Sequence, residues 1–216
     1  MQEHLAAAQE NWATGRAFLQ EQDVTTTRAE DCPVPETALR MDTAQVGLWA
    51  GLATISMLFA GFTSAYLVRR SGADWQPVSL PRILWLNTGL LLASSIALEI
   101  ARARMKKGRR EALKLWLGIT LVLGLGFLMG QILAWERLAA QGVYLPTSPH
   151  SSFFYMLTAV HGLHLLGGIL ALLYAVGRAS RASSQGSLAR GIGLSATYWH
   201  FVGGIWLYLF VLLAVS

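Results

Sequence analysis

The sequence predicts an all-α protein, an integral membrane bundle of five transmembrane helices. Three observations predict it. Of 216 residues, 54% are hydrophobic and 13% are charged, where a soluble domain carries about 25% charge. Beyond position 45 the charges fall into short clusters between long apolar runs. Each run has about 19–25 residues, enough at about 1.5 Å per residue to cross a hydrocarbon core of about 30 Å. Helices are the form such runs must take, because lipid offers the backbone no partners and the runs lack the alternation of a barrel strand.

Taken in order, residues 1–45 form a polar acidic tail, a block apart from the transmembrane domain of 46–216. Eight acids stand there against Arg16, Arg28 and Arg40. Leu5, Ala8, Trp12 and Leu19 have the spacing of one face of a short surface helix, and Pro33 and Pro35 break regular structure after it. The first run is Val46–Val68. The second, Ile83–Ala101, carries Asn87, Thr88, Ser94, Ser95 and Glu99. The third is Leu115–Trp135, the fourth Ser152–Val176 and the fifth Gly193–Val215. Ser148 followed by Pro149 reads as an N-cap with proline in the first helical position, opening the fourth helix. Gly47/Gly51 and Gly126/Gly130 are small pairs at i,i+4, where neighbouring helices can approach closely. Seven tryptophans lie within or near the spans, several of them near the interfaces.

Basic residues set the expected orientation. Arg102, Arg104, Lys106, Lys107, Arg109, Arg110 and Lys114 lie between runs two and three, and Arg178, Arg181 and Arg190 between runs four and five. In a five-helix chain both loops share one side, which the positive-inside rule makes cytoplasmic. The N-terminus is then cytoplasmic and the C-terminus periplasmic. Arg69, Arg70 and Arg82 oppose this but are outnumbered. The net charge of +5 thereby reads as topology and calls for no nucleic acid. The lone Cys32 excludes an internal disulfide framework and a cysteine metal cluster. No P-loop, GxSxG, HExxH or dinucleotide fingerprint occurs, which speaks against self-contained hydrolytic or nucleotide chemistry.

Ionisable residues inside a span cost about 2.5–3.5 kcal/mol on insertion scales and demand a reason. Glu99, three residues before Arg102, and Glu136, beside Trp135 and Arg137, read as interfacial groups. Gln131 lies deeper and faces another helix. His161 and His164 sit at i,i+3 and share one helix face. Counted at about 1.5 Å per residue, His164 and His200 reach similar depth on antiparallel neighbours. Three readings stay open for these imidazoles: structural bonds to each other, to Tyr198 or to backbone; a pair of axial haem ligands; or a proton relay.

The same stretches carry a resemblance. Ser152-Phe153-Phe154-Tyr155, Thr158-Ala159-Val160-His161-Gly162-Leu163-His164, and Tyr198-Trp199-His200-Phe201-Val202 with Ile205-Trp206-Leu207-Tyr208 resemble subunit III of the haem-copper oxidases. Leu86-Asn87-Thr88, Leu91-Leu92-Ala93-Ser94, Phe59-Ala60-Gly61-Phe62 and the stretch from Gln131 to Glu136 fit as well, so the match covers residues 46–216 in order.

The resemblance implies a non-catalytic subunit of a bacterial terminal oxidase, in a complex that reduces oxygen to water and pumps protons. It implies no cofactor in this chain, haem and copper in partner subunits, subunits I and II as partners, and bound phospholipid. On it, Gln131, Glu136, His161, His164, Tyr198, Trp199 and His200 are expected as buried or interfacial packing residues. Arg69, Arg70, Arg102 and Arg178 are expected at lipid headgroups. Two departures stand out. Longer members have seven helices, so the first two are missing here. A glutamate that many members bury early in the first matching helix falls at Ile55, with Ser56 beside it. Two rival readings remain, a b-type haem membrane anchor and an accessory membrane subunit of a nitric oxide reductase. A small transporter would need a repeat or a broken helix pair, and neither is visible.

Overall fold

A computed structural model describes residues 43–75, 81–180 and 185–215; the tail before Thr43, with its expected surface helix, lies outside them. The described chain forms five helices: α1 Thr43–Arg70, α2 Ile83–Lys106, α3 Arg110–Ala140, α4 Pro149–Ser180 and α5 Gln185–Ala214. All five are long and apolar enough to cross a membrane, and no strand occurs among the described residues.

The helices outrun the apolar stretches that announce them. α3 opens at Arg110, ahead of its apolar run, and α5 opens at Gln185. A helix does not stop where the hydrocarbon stops. Its backbone bonds continue through the headgroup layer, and basic side chains there stay in contact with water while the ladder is kept.

What stops them is local. After α2 the chain turns through Gly108 at φ 69°, and after α3 through Gly142 at φ 77°. In both cases two backbone bonds close the turn: Gly108 N–H to Met105 and Arg109 N–H to Arg104, then Gly142 N–H to Ala139 and Val143 N–H to Leu138. The left-handed residue lets the last carbonyls find donors. α4 opens with a reciprocal cap. Ser151 N–H donates to Ser148 Oγ at 3.2 Å, and Ser148 N–H donates to Ser151 Oγ at 3.0 Å. Pro149 stands in the first helical position, where no backbone donor is needed.

α2 and α3 form the most extensive pair; α4 packs on α3 and α5, and α5 also packs on α2. α1 touches only α4 and α5, through one stripe of Leu52, Ile55, Phe59, Thr63 and Tyr66. Outward-facing side chains include Trp49, Met57, Val68, Trp85, Val122 and Tyr174. Large apolar groups on the outside and amides and hydroxyls on the inside invert the soluble pattern and suit a lipid solvent.

The two expected glycine contacts divide. A side chain at Gly47 or Gly51 would meet nothing within 4 Å, since α1 faces outward there. Gly126 lies 3.7 Å, from an ideal Cβ, to Leu90 of α2, and Gly130 receives the Asn87 amide. Only the second pair marks a helix contact.

Candidate functional site

Four times in the core a hydroxyl links two helices by the same device. Ser94 donates to Leu91 O on its own helix at 2.7 Å and accepts Trp199 Nε1–H from α5 at 3.1 Å. Thr88 donates to Leu84 O at 2.9 Å and accepts Trp206 Nε1–H at 3.0 Å. Thr158 of α4 donates to Phe154 O at 2.7 Å and accepts Trp135 Nε1–H from α3 at 3.1 Å. Thr63 of α1 donates to Phe59 O at 2.8 Å and accepts the Tyr208 hydroxyl at 3.1 Å. A helix-interior hydroxyl spends its proton on the preceding turn, which leaves a lone pair for a donor from next door. Indole N–H can only donate, so it needs such an acceptor in a dry core.

Trp199 and Trp206 are the largest of the fully buried side chains. Glycines give Trp199 its room. A Cβ at Gly124 would stand 2.7 Å from Trp199 Cη2, and one at Gly168 would stand 3.2 Å from its Cε3. The indole therefore lies against the backbones of α3 and α4 while bonding α2, so a single residue of α5 fixes three neighbours.

The histidines diverge. His161 is fully buried, its ring 5.8 Å from Phe127 and 5.1 Å from Trp206. His164 is half-buried and turns elsewhere. Its Nδ1–H donates to Val160 O of its own helix at 2.7 Å, and its ring centre lies 5.8 Å from that of Phe59 on α1. Tyr198 reaches α4 by donating its hydroxyl to the His164 backbone carbonyl at 2.9 Å. His200 does not pair with His164, as equal depth suggests. Its Nε2 lies 2.8 Å from Glu99 Oε1 on α2, and Glu99 also accepts Arg102 Nη1–H at 2.6 Å. Depth fixes an axial level but not the rotation of a helix, and α5 is rotated so that position 200 faces α2.

Of the remaining expected residues, Gln131 is buried. Glu136 is exposed on the last turns of α3, outside the core, where a carboxylate escapes the cost of burial. Ile55, where the resemblance sets a glutamate of many members, belongs to the apolar core. Arg69 pairs with Asp74 beyond the end of α1, and the guanidinium beside Asp74 holds its carboxyl below the usual range. Arg70 Nη2–H donates to Val215 O at 3.4 Å. Arg69 and Asp74 border an open groove of about 900 Å³, walled further by Val68, Ser148, Ser152 and Phe153. The Arg178 side chain lies outside the described residues.

His150 was not singled out by sequence. It is fully buried and packs on Trp75 and Tyr66, and Tyr66 meets Phe153, in an aromatic cluster joining the end of α1 to the start of α4. Its place just inside the Ser148–Pro149 cap was the available signal. Among the described residues no group of three or more His, Cys, Asp or Glu is arranged to hold a metal ion. The three imidazoles have different neighbours: Phe127 and Trp206 for His161, Phe59 for His164, and Glu99 for His200.

A sequence model of the family described as cytochrome c oxidase subunit III matches residues 43–215. Named relatives agree. The chain is 31% identical over 178 residues to "Probable cytochrome c oxidase subunit 3" of Mycobacterium leprae, covering 81% of this chain and 88% of that one. It is 33% identical over 175 residues to "Cytochrome c oxidase subunit 3" of Thermostichus vulcanus, covering 79% and 86%. It is 34% identical over 178 residues to the protein of that name in Synechocystis, covering 79% and 75%.

Proposed function

The chain belongs to the cytochrome c oxidase subunit III family and is a subunit III of a haem-copper oxidase in a bacterial inner membrane, and from that premise we propose that it acts without a redox centre of its own, as a stabilising partner of the catalytic subunit. The observation that carries this reading is where the motif residues point. Trp199, Trp206, Tyr198 and His200 spend their polar atoms on Ser94, Thr88, the His164 carbonyl and Glu99. Groups committed in this way hold helices together and are not free to meet a substrate. The function of such a chain lies in its rigid outer surface. It is a wall of apolar side chains broken by few polar groups, suited to subunits I and II and to phospholipid.

Arg69 and Arg70 at the far end of α1, and Arg102 and Arg178 near the α2–α3 and α4–α5 connections, are the proposed headgroup contacts. The groove beside Arg69 has an apolar wall for an acyl chain and a cation at its rim. The positive-inside rule, applied to the basic connections, supports an orientation with the N-terminal side of α1 in the cytoplasm and the end of α5 in the periplasm.

The test is purification of the tagged chain in mild detergent, with mass spectrometry of what accompanies it and a visible spectrum. The expected companions are a haem-bearing catalytic subunit and a copper-bearing one, with phospholipid in the extract. A chain that purified alone with its own strong Soret band would overturn the reading in favour of a haem anchor. Companions from a nitric oxide reductase would overturn it in favour of that complex.

A further inference from the structure

Three deeply buried polar side chains of the bundle have no hydrogen-bond partner among the described residues. Asn87 of α2, Gln131 of α3 and His161 of α4 are almost fully buried, at 0%, 3% and 0% exposure. Neither amide's oxygen or nitrogen, and neither imidazole nitrogen, has a hydrogen-bond partner among the described residues. The Trp135, Trp199 and Trp206 indoles all find hydroxyl acceptors, so six unmatched atoms on three deeply buried side chains need an account.

The three belong together. Asn87 lies against the α3 backbone: a Cβ at Gly130 would stand 2.8 Å from its Cγ and 3.1 Å from its Nδ2. Gln131 is the next residue. Phe127, one turn along the same face of α3, packs on His161 at 5.8 Å and on Trp206 at 4.7 Å. The Trp206 ring lies 5.1 Å from that of His161 at a tilt of 38°, and its Nε1–H donates to Thr88, the neighbour of Asn87. Four helices thus close around one polar layer.

We propose that this layer is a binding site for internal water, held by the Asn87 and Gln131 amides and the His161 imidazole. The chemistry of the groups selects that ligand. Each amide offers two N–H donors and a carbonyl acceptor, and a neutral imidazole offers one donor and one acceptor. A cation would leave the donors unused, and an anion would leave the acceptors unused. Water is small, neutral, and both donor and acceptor, and ordered waters in proteins typically bridge groups of this kind. Gly130 contributes by leaving the space that the Asn87 amide enters. A bridged layer gives the interior a polar joint between α2, α3 and α4. This inference stands on the core alone and does not rest on the oxidase reading.

The test uses the full chain in lipid nanodiscs with whatever subunits accompany it. A cryo-electron-microscopy map that resolves ordered water is expected to show density within hydrogen-bond distance of the Asn87 or Gln131 amide and the His161 ring. Difference infrared spectra in water and in oxygen-18 water are expected to contain a shifted O–H band from a sequestered water. That band should be lost in N87L/Q131L. A map in which the three side chains bond directly to one another, with no density between them, overturns the proposal. An oxygen-18-sensitive band that persists unchanged in a folded N87L/Q131L variant overturns it too. The wild-type map decides the matter even where the variant fails to fold.

Discussion

Trp199 and Ser94 meet across 105 positions of sequence, indole nitrogen to hydroxyl oxygen at 3.1 Å, in a site with no exposure on either side. The bond places α5 against α2, and the ring that makes it occupies the hollow left by Gly124 and Gly168. Removing the donor while keeping most of the ring, as in W199F, is expected to cost about 0.6–2 kcal/mol, the scale of interhelical hydrogen bonds in membranes. S94A should cost a similar amount. The double variant should cost less than the two singles together, because each removes the same bond. Thermal denaturation of the purified complex measures this, and strict additivity would show that the bond carries no energy.

Gly124→Ala and Gly130→Ala should both destabilise, by about 1–3 kcal/mol each, because the added methyl meets Trp199 or Asn87 in a packed interior. Gly118→Ala is the control. Nothing lies within 4 Å of its Cβ position, and alanine is the better helix former by up to about 1 kcal/mol. A loss at Gly118 as large as at Gly124 would contradict the packing account.

His200 and Glu99 should act as a unit. Both are partly exposed, so the pair is worth less than about 1 kcal/mol. H200A and E99Q are each expected to lower retention of the subunit in detergent slightly, with no further loss on combination. H164A should leave the α4–α5 link intact, since Tyr198 bonds the His164 backbone and not its ring. Retention after a graded detergent wash reads all four variants. Loss of the subunit on H164A alone would assign the ring a contact beyond α4 and α1.

The Asp74–Arg69 pair joins the last turn of α1 to the turn that follows it, with both side chains about half exposed. Its carboxyl is held below the usual range by the guanidinium, so any stabilisation is present above the unfolded carboxylate value of about 3.9 and fades as pH falls through the lower folded value. D74N is therefore expected to leave the melting temperature nearly unchanged near neutral pH, because an ion pair this exposed contributes little. Melting curves of wild type and variant at neutral and acidic pH test this, and a clear difference at neutral pH would mean the pair is shielded by a partner or a lipid.

Some of this was legible in the chain as written. The five spans, their order and the cap at Ser148–Pro149 follow from residues acting locally. The cost of taking each residue out of water accumulates along a run, and a run of sufficient length has no other solvent to enter. The positions of Gly108 and Gly142 were equally local signals of where α2 and α3 end, though the apolar pattern alone passed over them.

Which polar groups meet was decided elsewhere. His161 and His164 are three residues apart, yet one faces Trp206 and the other Phe59. Glu99 has a local partner in Arg102 and a distant one in His200. Glu136, alike in type and also near a helix end, stays outside. Pairings of this kind depend on the rotation and axial offset of whole helices, which are set by how Trp199 fits between Gly124 and Gly168 and how Asn87 fits at Gly130. Spacing along one helix carries hydrophobicity and level. The angle at which two helices interlock is a property of both surfaces together, so only the folded bundle contains it.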